Sequence, residues 1–246
     1  MALRTLKIAA WLSFGVALTA SLSLAAPATG PTDAAPLDQN QIIDRMVRAQ
    51  TARFELFEAY SRTQHYSVKT DRLGLKAELV ARVHRDRVKG KTYEVLSRTG
   101  SSVVQTHVFD VLLEAEVATS RQGGELLTPE NYDFRLIGPQ DFAGHKCYVF
   151  ETEPKHKDKR LLKGRIWVDA EDFGVIHVEG KPTESPSFWV GRPMIVQDFT
   201  KISGFWWASR RRSYLDNLLL GKSEIVIDYT DYEFENLPPR DAPPAK

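Results

Sequence analysis

From Asp38 onward the apolar residues Ile42, Ile43, Met46, Val47, Phe54, Phe57 and Tyr60 recur at three- and four-residue steps among charged ones. That spacing predicts a long amphipathic helix over residues 38–60, whose apolar stripe has to lie on another element. A second helix is predicted over 103–120, opened by Ser102 with Gln105 three residues on, a capping-box spacing. Val104, Val108, Val111, Leu112 and Ala115 form its expected buried side.

The remaining pattern has a period of two. Residues 64–70, 76–87 and 92–98 alternate apolar or β-branched with polar positions. Beyond Gly124 a meander of seven more strands is expected over 133–137, 146–153, 164–169, 175–180, 195–201, 206–214 and 224–234, separated by turn residues that include Gly138-Pro139, Gly144 and Gly221. About ten strands with short connections and two one-striped helices predict an α+β fold: a curved antiparallel sheet, an unclosed half-barrel, wrapped around capping helices. Alternation places Ile166, Val168, Ile176 and Val178 on the concave face and Asp169, His177 and Glu179 outside, with Ile225, Ile227 and Tyr229 extending the inner surface.

The ends read differently. Arg4 and Lys7 precede an apolar run from Ile8 to Leu24, and Ser23-Leu24-Ala25 carries small residues at the −3 and −1 positions, so residues 1–25 are expected to be a cleavable signal peptide. The rival is an uncleaved anchor, but the run is short of the roughly 20 residues that span a bilayer. No cysteine adjoins the cleavage site, so the mature chain is expected to be unlipidated and periplasmic. Residues 26–37 read as a flexible leader, 38–237 as a single domain, and 238–246, with four prolines, as a disordered tail.

Charge and composition narrow the function. The formal charge is +1, and loss of Arg4 and Lys7 leaves −1. That balance argues against nucleic-acid binding, which shows a basic excess. Cys147 is the one cysteine, excluding an intramolecular disulfide, and reads as a small half-buried hydrophobe. The six histidines are scattered without metal-ligand spacing, leaving only a cross-strand site such as His84 with His177 to consider. Asp169, Glu171 and Asp172 fall where a turn is expected. No nucleophile elbow, phosphate loop or dinucleotide fingerprint is present. The expectation is no catalytic residue, no metal and no cofactor.

The basic runs at 155–160 and Arg210-Arg211-Arg212 read as a charged hairpin tip and as an edge or outer face. Phe188-Trp189 and Phe205-Trp206-Trp207 set aromatics side by side where one covered face needs only every second residue apolar, so both faces there are expected to be covered or to meet ligand.

Glu130-Asn131-Tyr132-Asp133-Phe134, Gly164-Arg165-Ile166-Trp167-Val168-Asp169, Ser185-Pro186-Ser187-Phe188-Trp189 and the closing strand from Ile225 to Tyr232 resemble the periplasmic outer-membrane lipoprotein-sorting family, with its LolA/LolB/RseB-like fold. The resemblance spans nearly the whole mature chain. It implies a half-barrel with helices at its mouth whose interior receives lipid or lipoprotein acyl chains. The lining expected here is Phe150, Ile166, Val168, Ile176, Val178 and Ile227. The family's other role, an envelope-stress sensing module that binds a protein partner, is the alternative. The chain is expected to be a monomer.

Overall fold

Asp38 accepts a hydrogen bond from the Gln41 backbone N–H on its side chain, while the Gln41 side chain accepts one from the Asp38 N–H. This reciprocal cap starts helix α1 (Gln39–Leu56), which buries Ile42, Ile43 and Met46. In the computed structural model, residues 37–72, 74–120, 127–185, 192–217 and 221–235 are described. All of them belong to Leu37–Lys246, the second of two units into which the chain divides. The expected signal peptide, the leader up to Pro36, the Phe188-Trp189 pair and the expected tail lie outside the described residues.

Helix α1 ends four residues earlier than expected. Phe57 is extended, at φ −106° and ψ 100°, and Tyr60 belongs to strand β1 (Ala59–Thr70). Both rings are buried with Trp207 in a separate aromatic cluster. Pairing of β1 on both sides outweighs the helical periodicity that happens to continue through these residues.

β1 is followed by β2 (Lys76–Asp86) and β3 (Gly90–Gly100), then by the helical crossover, and then by β4 (Tyr132–Phe142), β5 (His145–Pro154), β6 (Leu162–Asp169), β7 (Val175–Pro182), β8 (Met194–Ile202), β9 (Phe205–Asn217) and β10 (Gly221–Phe234). All ten lie in one antiparallel sheet of order β3-β2-β1-β10-β9-β8-β7-β6-β5-β4. β3 and β4 do not pair, so the sheet is an unclosed half-barrel with helices, the α+β class and strand number expected from the pattern. Every pairing joins sequence neighbours except β1 with β10.

Gly138-Pro139 is not a turn, contrary to expectation. It sits inside β4, where the register shifts between Leu136 and Gly138 opposite β5. The bulge uses the φ of 141° that Gly138 tolerates. β4 is an edge strand, the setting in which a strand tolerates proline. Between β6 and β7, Gly164 faces Gly180, and a Cβ on Gly164 would lie 1.9 Å from the Glu179 carbonyl oxygen. Only glycine permits that approach.

The crossover also departs from expectation. Ser101, not Ser102, caps α2 (Ser102–Val104), its hydroxyl accepting from the Val104 N–H. A π-turn over Gln105–Phe109 then precedes α3 (Asp110–Ser120). The extra residue in that turn rotates the stripe: Phe109 and Leu113 are buried, while Val111 is 44% exposed. The Gln105 side chain, freed from capping, donates to the carbonyls of Glu78 and Thr99 at 2.9 and 2.7 Å and ties the turn to the sheet.

Two helical segments cover one face of the sheet. α2, the π-turn and α3 pack Val104, Phe109 and Leu113 against Tyr66, Val68, Leu79, Ile225 and Ile227. α1 packs Ile42, Ile43 and Met46 against Phe150, Ile166, Val168 and Val175. A polar clamp fastens α3: Glu116 accepts from Arg62 at 2.8 Å, from Lys91 at 2.9 Å and from Gln64 at 3.1 Å. Burial by itself raises the Glu116 carboxyl, but the Arg62 and Lys91 cations outweigh it and hold it down at about 2, against an ordinary 4.5.

A carboxyl depressed on folding stabilises fully above its unfolded pKa and loses that contribution as pH falls through the folded one, here between about 4.5 and about 2. Glu116→Gln should therefore remove roughly 3–5 kcal/mol at neutral pH, because Arg62 is left buried without its carboxylate. Urea unfolding at pH 7 and at pH 3 checks this: the gap between wild type and variant should narrow at the lower pH.

Candidate functional site

The inner face is not filled evenly. Between α1 and strands β6 to β9 a cavity of about 550 Å³ remains. Ala49, Gln50, Arg53 and Phe54 of α1 form its roof. Leu162 and Ile166 of β6, Val175 and Val178 of β7, and Phe199 of β8 form an apolar wall, and Phe205 and Trp206 of β9 stand at one side. The volume falls in the range of roughly 300–1,000 Å³ common for small-molecule sites.

Of the six expected lining residues, the structure brings two to the cavity, Ile166 and Val178. Phe150 and Val168 are on the same face but are fully buried beneath α1, so they support the wall. Ile227 also faces inward, but it is covered by the α2–α3 segment. Ile176 is on the opposite face, contrary to expectation, packed with Cys147, Val149, Trp167 and Trp206. A register shift after Trp167 causes this: Trp167 pairs with His177 but Val168 pairs with Val175, so Ile176 is the extra residue of a bulge.

The outward placement of Asp169, His177 and Glu179 holds, with Asp169 and His177 buried there. His177 lies between the rings of Phe142 and Trp167, with Nδ1 2.7 Å from Asp198 and Nε2 3.1 Å from Glu179. Asp169 accepts from the Glu171 and Asp172 N–H groups, the turn bonding expected of it. His84 is on β2, five strand positions from His177 on β7, so the two cannot share a metal. No group of three or more His, Cys, Asp or Glu side chains with metal-holding geometry occurs among the described residues.

Nucleophilic chemistry finds little support in the local electrostatics. Burial pushes the Cys147 thiol up to about 11, away from the reactive thiolate. His84 Nδ1 lies 3.1 Å from the Ser61 hydroxyl, but the carboxylate at ion-pair distance, Glu235, approaches the same nitrogen at 4.0 Å. A relay needs its acid on the other ring nitrogen.

The adjacent aromatics serve both faces as expected: Trp206 packs with Cys147 and Trp167, Trp207 with Phe57 and Tyr60. The Trp206 indole donates to Asp172 at 3.0 Å, and Asp172 also meets Lys201 at 2.7 Å. Burial opposes the Asp172 charge, but Lys201, the Gly174 N–H and Trp206 hold its carboxyl below the usual range.

Polar residues that sequence reasoning placed elsewhere also reach the cavity. The Arg210-Arg211-Arg212 run lies in the interior strand β9, not at an edge. Arg210 pairs with Asp228 and Arg212 with Asp198, whereas Arg211 points into the cavity. The signal was available, since three consecutive strand residues cannot share a face. From the run at 155–160, Arg160 reaches the cavity while held by Asp158.

The division between wall and support predicts different costs. Phe150→Ala should lower unfolding stability by roughly 3–5 kcal/mol, because its ring is fully enclosed. Denaturant titration measures this, and a loss under about 1 kcal/mol would mean that α1 does not press on Phe150 as the packing implies.

Among known proteins, a family model described as "-like: Uncharacterized protein" matches residues 124–241, the part of the chain that contains β4 to β10. A curated relative, the versican core protein of Mus musculus, is 31% identical over 91 residues, which is 37% of this chain; the chain spans 3% of that protein's length. Among solved structures, the chain is similar to a DUF1329 family protein from Desulfovibrio piger, at 15% identity and a TM-score of 0.43, covering 80% of this chain and 93% of that one. It is also similar to a LolA superfamily protein from Nitrosomonas europaea, at 12% identity and a TM-score of 0.39, covering 82% of this chain and 96% of that one.

Proposed function

We propose that this protein is a periplasmic carrier or binding protein that takes an acyl chain of a lipid or lipoprotein into the cavity beneath α1, without covalent catalysis and without a cofactor. The observation that carries the reading is the apolar wall of Ile166, Val175, Val178 and Phe199, which packs partly under α1 and still borders an open cavity beneath the helix's later turns. Each methylene moved from water onto such a wall contributes roughly 0.8 kcal/mol. The sequence resemblance to the lipoprotein-sorting family supports the same reading, as do the export signal expected over residues 1–25 and the near-neutral charge.

Helix α1 is suited to act as a movable roof. Its polar ties to the sheet are few: Gln39 donates to the Phe134 carbonyl at 3.1 Å and accepts from the Leu136 N–H at 2.7 Å, and Arg53 donates to the Trp206 carbonyl at 2.7 Å. A roof of low local stability lets a carrier release what it holds.

The second reading, an envelope sensing module with a protein partner, draws on a different place. β3 is an edge strand that exposes Tyr93 and Leu96, and Val103 and Val111 are exposed on the crossover that follows it. Unpaired edges with apolar side chains accept partner chains.

Fluorescent fatty-acid displacement alongside thermal melting separates the two. Wild type should bind at micromolar protein; Val178→Asp, on the cavity wall, should stay folded and bind at least tenfold more weakly, in line with an apolar site that gains a charge. Ile227→Asp, buried under α3, should unfold, and Glu179→Ala should behave as wild type. Absence of binding by the wild type would defeat the carrier reading and favour the sensing one.

A further inference from the structure

One row of residues crosses the inner face in register: Ile166 on β6, Val178 on β7, Gln197 on β8, Arg211 on β9, Ile227 on β10 and Tyr66 on β1. Four of the six are large and mostly apolar, as an inner row should be. Gln197 and Arg211 interrupt it, and both line the cavity. A guanidinium on an inward-facing strand position is costly unless something answers its charge.

Gln197 is committed to holding Arg211 in place. Its amide nitrogen donates to the Asp198 and Arg210 carbonyls at 3.0 and 2.9 Å, so its oxygen is turned to accept from Arg211 Nε at 2.9 Å. The two terminal nitrogens of Arg211 donate to no described residue, and no carboxylate lies within salt-bridge distance of it among the described residues. The guanidinium is thus oriented through its inner nitrogen, with its outer fork unengaged.

The other charged groups of the cavity leave it electropositive. Asp172, its one carboxylate, is taken up by Lys201 and Trp206. Arg160 is neutralised by Asp158. Arg53 donates to the Trp206 carbonyl and lies 5.3 Å from the Trp207 ring centre, again with no carboxylate at ion-pair distance among the described residues. Two arginines without acidic partners among the described residues therefore share a cavity whose other lining is mostly apolar. Forked donors of this kind match a carboxylate or phosphate, which accept two hydrogen bonds in one plane.

Size adds a second constraint. At about 30 Å³ per heavy atom, the share of a water molecule in the liquid, a 550 Å³ cavity holds on the order of 18 heavy atoms. That matches one acyl chain better than the several chains of a typical membrane lipid, and because the cavity opens to solvent a longer amphiphile can extend beyond it.

We infer that the cavity takes a single-chain amphiphile with an anionic head, the head seated on the Arg211 fork and the chain lying against Phe54, Ile166, Val178 and Phe199. This rests on the acyl-chain reading and narrows it from any lipid to a free fatty carboxylate or a single-chain phosphate monoester. Arg211 acts as the specificity residue and Gln197 positions it.

Isothermal titration calorimetry reads binding without a label. The full-length processed protein is titrated with palmitate, with 1-palmitoyl lysophosphatidic acid and with monopalmitin, which share a chain and differ in the head. Wild type should bind at least one of the two anions roughly 10- to 100-fold more tightly than neutral monopalmitin, as hydrogen bonds to a charged group require. Which anion is preferred identifies the head. Arg211→Gln should bring that preference to within about threefold, chiefly by weakening the anions, and Arg211→Lys should retain part of it. Equal binding of all three by the wild type overturns the inference yet leaves the acyl-chain reading standing, and it does so without reliance on any variant's folding. A preference that survives in folded Arg211→Gln overturns it as well. Failure to bind any of the three overturns both.

Discussion

Antiparallel pairing of β1 with β10 is the contact on which the rest of the structure depends. Every other strand pairs with its neighbour in sequence, so the chain without this contact is two separate meanders, β1 to β3 and β4 to β10. The pairing sets Tyr66 opposite Ile227 and Val68 opposite Ile225. Those four side chains make the floor on which the α2–α3 segment packs. The Glu116 clamp then depends on β1 as well, because Arg62 and Gln64 come from that strand. Such a long-range contact forms only after a large loop-closure cost has been met, which makes it the natural late step of folding.

A sheet of ten strands has more inner surface than three short helical segments can cover. The α2–α3 segment closes its half with Val104, Phe109 and Leu113. On the other half, α1 sends Ile42, Ile43 and Met46 onto Phe150 and Val168, but its later turns carry Ala49, Gln50 and Arg53 toward the wall. Short or polar side chains there leave the cavity open. Under the proposed function, binding arises from a packing deficit located by the sequence of one helix, with the charge of Arg211 on its wall.

Most of the architecture was legible because antiparallel strands advertise themselves by alternation, and all ten were placed by that signal. What was not legible came from single-residue insertions. The π-turn at Gln105–Phe109 rotates the α3 stripe, the β4 bulge absorbs Gly138-Pro139 into a strand, and the β7 bulge sends Ile176 to the outer face. Each leaves composition and period intact on either side while reversing which face follows. The candidate site is the least legible part: alternation sets Ile166, Val178, Phe150, Val168 and Ile227 on one face, but only the first two border the cavity because helices cover the others, a distinction that depends on packing between segments distant in sequence. Arg211 is legible only when alternation is applied to the three arginines singly, since it turns the middle one to the face opposite its neighbours.

The central claim is that the cavity under α1 holds one chain of an amphiphile in the protein's working state. Native mass spectrometry of the protein isolated gently from its own cell envelope tests it most directly. The account predicts a one-to-one complex that, on activation, releases a single-chain anionic lipid and leaves the bare protein. A chain that carries no lipid and arrives instead in stoichiometric complex with another protein would contradict it.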